Sequence, residues 1–270
     1  MVIEKDFAEA DAGSAQPVVH TIGPGDLRDA LVKGLADFEA MPTHLIFLCV
    51  IYPVLMLVAA RLYAGYDVLP FVFPLVAGYT VIGPLVATGM YELSRRREQN
   101  LDISRGHAFE VILLPSIGEI AKLSALLMVV YFIWLGAAWT IYEATFGGAA
   151  PESILAFVLQ IFTTPSGWTL IVVGCGVGFI IATVAFTLSV VSFPMLVDQN
   201  VSVATAIQTS IRAVTANPIT MGMWAFIVAS FLLIGSLPFF VGLSIVLPVL
   251  GHATWHLYRK VVERGDSTHY

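Results

Sequence analysis

The sequence predicts an all-α fold, a polytopic bundle of membrane-spanning helices, and three observations carry that prediction. Hydrophobic residues make up 58% of the 270 and charged residues only 12%, with a mean hydropathy of +0.86, whereas a soluble domain carries about 25% charged residues. Apolar runs of the roughly 20 residues needed to cross a hydrocarbon core of about 30 Å recur along the chain. When those runs are threaded alternately through a bilayer, twelve of the thirteen Lys and Arg residues fall on one side. Composition gives no case for a nucleic-acid partner, because the formal charge is −6 and the basic residues are spread through short loops.

Six spans are expected, at His44 to Tyr63, Val68 to Tyr91, Leu123 to Tyr142, Trp168 to Phe193, Ile219 to Gly235 and Pro238 to Tyr258. The last two form one apolar stretch, which Gly235-Ser236-Leu237-Pro238 divides because Gly permits unusual dihedrals and Pro suits a first helical turn. Five spans with one very long helix is the alternative. Arg28 and Lys33, then Arg95, Arg96, Arg97, Arg105 and Lys122, then Arg212, and finally Arg259, Lys260 and Arg264 share a side with Lys5. Only Arg61 lies opposite, with Asp67, Glu143 and Glu152. Because cytoplasmic loops retain Lys and Arg, both termini are expected in the cytoplasm of a bacterial inner membrane. Tyr and Trp residues near the span ends form an aromatic belt.

Before the first span, residues 1–25 read as a disordered cytoplasmic tail, polar and rich in small residues, without an apolar run of signal-peptide length. The integral domain is expected over 26–262 and a short cytoplasmic tail over 263–270. Cys49 and Cys175 lie in apolar runs far apart and read as free thiols.

An internal repeat organises the spans. Glu98 to Ile103 aligns with Asp198 to Val203 at an offset of 100, and Ala30, Leu31, Gly34, Leu35 and Pro42 match Ala206, Ile207, Ser210, Ile211 and Pro218 at an offset of 176. The unit implied is a cytoplasmic interfacial helix, a span out and a span back, giving three repeated hairpins in one orientation. The first interfacial helix follows Asp26 as cap, with Leu27, Ala30, Leu31, Gly34, Leu35 and Phe38 on its apolar face and Arg28, Asp29, Lys33 and Asp37 elsewhere. The third runs from Ser202 until Asn217-Pro218 ends it. The middle copy, from Ser104 to Ile117, is interrupted by Gly106 and Pro115.

Chemistry is sparse. His252 and His256, four apart, place two imidazoles on one helix face, a spacing that serves a metal or haem. The remaining histidines in range, His44 and His107, come from separate segments, and no Cys or Glu completes a ligand set, so no metal or other cofactor is assigned. Glu92, Glu110, Glu119, Lys122 and Asp198 lie near the cytoplasmic boundary, and no ionisable residue falls at mid-span, where one would mark a pathway. Gly174, Gly176 and Gly178 on span four permit close helix packing.

The stretches Ser192-Phe193-Pro194-Met195-Leu196-Val197-Asp198, Ala206 to Pro218, and Pro248 to Arg259 resemble a family of bacterial, largely proteobacterial, inner-membrane proteins defined by a domain of unknown function. The resemblance covers Leu27 to Val262 and singles out Pro194, Asp198, Asn217, Pro218, Gly251, His252, Trp255, His256 and Arg259 as a functional or packing motif. Some members of that family carry a label likening them to cytochrome oxidase subunit I. That chemistry does not transfer, since two haems and a copper need more intramembrane histidines than a chain with six, two of them in the tails, supplies. Two classes remain. One is a non-catalytic structural or accessory component of a membrane complex, respiratory or biogenetic, with the bilayer and another inner-membrane protein as its partners. The other is a transporter or channel for a small solute or lipid.

Single cysteines placed at Glu143 and Glu152 are expected to react with an impermeant maleimide in intact cells, and ones at Gln99 and Gln199 only after lysis. Labelling of Gln99 in intact cells would invert the topology.

Overall fold

The computed structural model describes residues 17–41, 65–237 and 240–263. Among these the chain is helical, without a strand. In order come α1 (Pro24–Ala40), a 3₁₀ turn (Tyr66–Phe71), α2 (Val72–Glu98), a second 3₁₀ segment (Arg105–Leu113), α3 (Ile117–Phe146), α4 (Ile154–Thr163), α5 (Pro165–Ser189), α6 (Ser192–Asp198), α7 (Val203–Ala216), α8 (Pro218–Ser236) and α9 (Leu243–Val261). Two compact units emerge: Met1–Leu48, Gly83–Ser124 and Phe186–Tyr270 form the first, Cys49–Ile82 and Ala125–Ala185 the second.

The first unit holds the packed core. Its centre includes Met90, Leu93, Ile120, Leu123, Phe193, Met195, Trp224, Trp255 and Tyr258, each nearly or wholly inaccessible. Helix α1 begins with Pro24 behind Gly23, and the Asp26 carboxylate accepts the Gly23 N–H at 2.9 Å. Asp26 is thus the third residue of the helix and not its cap, because Pro24 already supplies a first-turn φ and needs no donor partner. The face α1 buries is Leu27, Ala30, Gly34 and Asp37, against α9. Gly34 is required there: a Cβ would stand 2.5 Å from the Ala253 backbone nitrogen. Leu35, expected on the packed face, is exposed, and Asp37, expected off it, is buried. Gly251 does for α2 what Gly34 does for α9, letting the backbone approach Met90 with only 3.0 Å to spare for a Cβ.

The polar tail does not extend to residue 25. Val19 bridges Val262, His20 N–H donates to the Val261 carbonyl, and Glu263 N–H to that of Val18. Asn217 completes the strap: its Oδ1 accepts the Ile22 N–H at 2.8 Å and its Nδ2 donates to the His20 carbonyl. Thr220 donates to the Ile22 carbonyl and Arg212 to that of Pro17. Composition alone reads such a segment as unstructured, since the groups that satisfy its backbone lie about 195 residues away.

The expected third interfacial helix follows its cap. Ser202 accepts the Thr205 N–H and starts α7, which buries Ala206, Thr209, Ser210 and Ala213 before Asn217-Pro218 ends it. The middle copy is a 3₁₀ segment instead of an α-helix, and Asn100 beside it takes φ +54°, a left-handed conformation not found at Asn200.

In the second unit the helices turn apolar side chains outward. Three helical stretches are long and apolar enough to cross a membrane: Ile117–Phe146, Pro165–Asp198 and Pro218–Ser236, the last belonging to the first unit. Only 6% of an 18-residue apolar window within Pro165–Asp198 is buried, so the solvent for the other residues of that window must itself be apolar. The expected first span lies outside the described residues; the second corresponds to α2 after the Tyr66–Phe71 turn and the sixth to α9, which starts at Leu243, and neither is among those three stretches. Helices α8 and α9 are separate, and Gly242 comes so close to Gly235 that a Cβ would lie 2.7 Å from its carbonyl oxygen. A break this tight rules out one long helix. Span four has its own break at Val190-Val191, after which α6 packs wholly inside. Of the glycines on α5, Gly167 packs on the Gln160 and Ile161 carbonyls and Gly178 on the Trp134 ring, whereas Gly174 and Gly176 face open space. Helix α4 was not expected. Ser153 caps it, and its Ile154, Leu155, Leu159 and Phe162 are exposed.

Replacing Gly34 by Ala is expected to lower the thermal midpoint of the purified protein by the equivalent of about 1–3 kcal/mol through overpacking. Gly25→Ala, with nothing within 4 Å, leaves the midpoint unchanged or slightly raised.

Candidate functional site

The motif residues His252, Trp255, His256 and Arg259 recur at three- and four-residue spacing, which sets them along one face of α9. Opposite that face stand the end of α2, with Ser94, Arg97 and Glu98, and the last turns of α1, with Asp37. All belong to the first unit. Asp37 is the centre: Arg97 Nη1 donates to its Oδ1 at 2.7 Å, while its Oδ2 accepts from Ser94 Oγ at 2.5 Å and contacts His256 Nε2 at 2.9 Å.

Proton accounting fixes the rest. Ser94 gives its single hydroxyl hydrogen to Asp37, so at 2.8 Å from His252 Nδ1 it accepts. His252 is therefore protonated on Nδ1, and its Nε2, wholly buried, is the one inaccessible side-chain polar atom among the described residues without a hydrogen bond. Burial pushes the Asp37 carboxyl up, but the bonds from His256 and Ser94 and the charges of both imidazoles outweigh it and hold the group below its ordinary 3.8.

This chain of donors is the reverse of a hydrolytic arrangement. A nucleophilic serine must lose its proton to a histidine, whereas Ser94 here faces a carboxylate, accepts from the imidazole and is nearly inaccessible. Among the described residues no group of three or more His, Cys, Asp or Glu is placed to hold a metal. His107 is turned to its own turn, accepting the Ser104 N–H and lying beside Glu110, and His44 lies outside the described residues.

Around this centre, Glu98 accepts from Trp255 Nε1 and Arg259 Nε, and Tyr258 donates to Asp198, whose side chain is also buried. Arg259 thus spans the two helix-ending acids Glu98 and Asp198, at 3.0 and 3.6 Å. Lys260 bonds Asp26 and Asp29, and with the Gly23 N–H it keeps the Asp26 carboxyl below the usual range. Of the remaining motif residues, Gly251 is a packing contact, Pro194 lies buried in α6, and Asn217 and Pro218 form the separate strap.

Residues 72–198, from the first residue of α2 to the last of α6, match the family described as Predicted integral membrane protein (DUF2189). The chain is an integral membrane protein. No curated protein and no solved structure matches it. The DUF2189 match takes in Ser94, Arg97, Glu98 and Asp198 and leaves Asp37 and the two histidines outside. Asp37 was the residue that sequence reasoning missed. The available signal was its position, three residues after Gly34 and seven after Ala30, which continues the buried stripe.

Changing Asp37 to Asn is expected to cost about 3 kcal/mol or more, since it removes the negative charge beside Arg97 and one of the two acceptor oxygens that Arg97, Ser94 and His256 share. A carboxyl depressed on folding contributes stability that is complete above its ordinary 3.8 and lost as pH falls through the lower folded-state value. Acid titration of the midpoint should therefore show that loss in the native chain and lack it in Asp37→Asn.

Proposed function

We propose that this protein is a non-catalytic accessory component of a larger complex in the bacterial inner membrane, six spans arranged as three parallel hairpins with both termini in the cytoplasm. The observation that carries the reading is the open space at two glycines of α5. Gly174 and Gly176 have free space where a side chain would be, among exposed Val172, Val173, Phe179 and Ile180. In lipid, helices associate through close backbone approach at small residues, not through hydrophobicity, so these open positions suit the helix of a partner.

The polar groups support the same reading. Hydroxyls on the long apolar helices are spent on their own backbones: Thr140 bonds Gly136, Thr169 bonds Pro165, Thr183 bonds Phe179 and Ser236 bonds Leu232. Transport of a polar solute needs groups that replace its water near the midplane, and these hydroxyls are not presented for that. The basic residues at the ends of α2 and α9 agree with a cytoplasmic placement.

Purification from native membranes in a mild detergent is expected to yield a stoichiometric membrane-protein companion, lost on changing Gly174 and Gly176 to Leu while the isolated chain still folds. Solute flux through proteoliposomes holding this protein alone would overturn the proposal in favour of transport.

A further inference from the structure

The ends of α1, α2 and α9 line an open pocket of about 490 Å³. Four cations line it, Lys33, Arg97, Arg259 and Lys260, with the carboxylates Asp37 and Glu98, and Asp26, Asp29 and Asp198 pair with the same cations from outside the lining. Those pairs leave donors over. Each carboxylate oxygen already accepts: Asp37 from Arg97, Ser94 and His256, Glu98 from Arg259 and Trp255. The donors are not used up. Bonds among the described residues engage only Nη1 of Arg97, shared between Asp37 and the Ala36 carbonyl, and chiefly Nε of Arg259, with Nη1 at 3.6 Å from Asp198. Lys33 uses one of its three hydrogens, toward Asp29, and Lys260 two.

We propose that this cavity binds a phosphate-bearing anion. A ligand that completes it must bring acceptors, because guanidinium and ammonium hydrogens remain after those pairs are made. A phosphoryl group has that chemistry and matches the planar fork of Arg97 and Arg259. The carboxylates hold the guanidinium groups in place without competing for the ligand's oxygens. The phosphoryl group comes either from an anionic lipid headgroup, since the cavity lies among the basic helix ends assigned to the cytoplasmic interface, or from a soluble phosphorylated compound. This binding is independent of the accessory role proposed above.

The test uses the full chain in nanodiscs of phosphatidylcholine, of phosphatidylcholine with phosphatidylglycerol, and of phosphatidylcholine with added inorganic phosphate. Thermal midpoint and bound lipid, counted by native mass spectrometry, are read in each. A rise with phosphatidylglycerol alone identifies the headgroup as the source, and a rise with inorganic phosphate identifies a soluble compound; either supports the site. Lys33→Gln, at a half-exposed position that leaves the fold intact, and Arg259→Gln should each weaken the response about tenfold, the loss of one charge-assisted bond. Arg28→Gln removes the same charge from an exposed position of the same helix outside the cavity and should respond like the native chain. Absence of any response to both probes, or an equal loss in Arg28→Gln and Lys33→Gln, would overturn the proposal.

Discussion

Much of the first unit depends on one buried carboxylate. Asp37 is on the packed face of α1, and removing a charge from water costs several kcal/mol unless partners replace the water. Those partners come from two other helices: Arg97 and Ser94 from α2, His256 from α9. The requirement works in both directions. α1 can bury Asp37 only where the ends of α2 and α9 already converge, and those ends, carrying Arg97, Arg259 and Lys260, need acids to sit beside one another. Gly34 and Gly251 reduce the separations that make such short bonds feasible.

The two units show what different surroundings ask of similar residue types. The first interior is filled with large side chains and closed hydrogen bonds, as in a water-soluble domain. Exposed Val, Ile and Phe on α3 and α5 would be a fault in water and are ordinary in lipid, where packing is decided by shape and small residues. Aromatic contacts are concentrated at one end of the second unit, where Trp139 stacks on Phe71 and Tyr142 meets Phe146 and Phe157.

The class of fold was legible because hydropathy and charge sidedness are properties of local sequence. Ser202 and Asn217-Pro218 marked α7 correctly for the same reason: a cap and a breaker act within one turn. His252, Trp255, His256 and Arg259 could be grouped because helical spacing aligned them. The partners of that face could not be found this way. Asp37, Ser94 and Glu98 are separated from it by about 157 to 219 residues, and nothing in the periodicity of α9 indicates which elements it meets. Asp37 was placed among solvated charges because its residue type outweighed its position. Helix α4 escaped notice because a ten-residue apolar helix between two spans has the composition of the spans themselves.

The pairing of α1 with α9 also fixes an order of events. Lys260 reaches Asp26 across 234 residues and His256 reaches Asp37 across 219. During synthesis α1 emerges early, yet its buried face has no counterpart until nearly all of the remaining helices have been made and inserted. Until then Gly34 and Asp37 are open to water or to a holding factor, and the Val19 to Val262 bridge cannot form. Docking of α1 is therefore a late step of assembly, and a ribosome stalled before Leu243 leaves a chain that is inserted but unlatched.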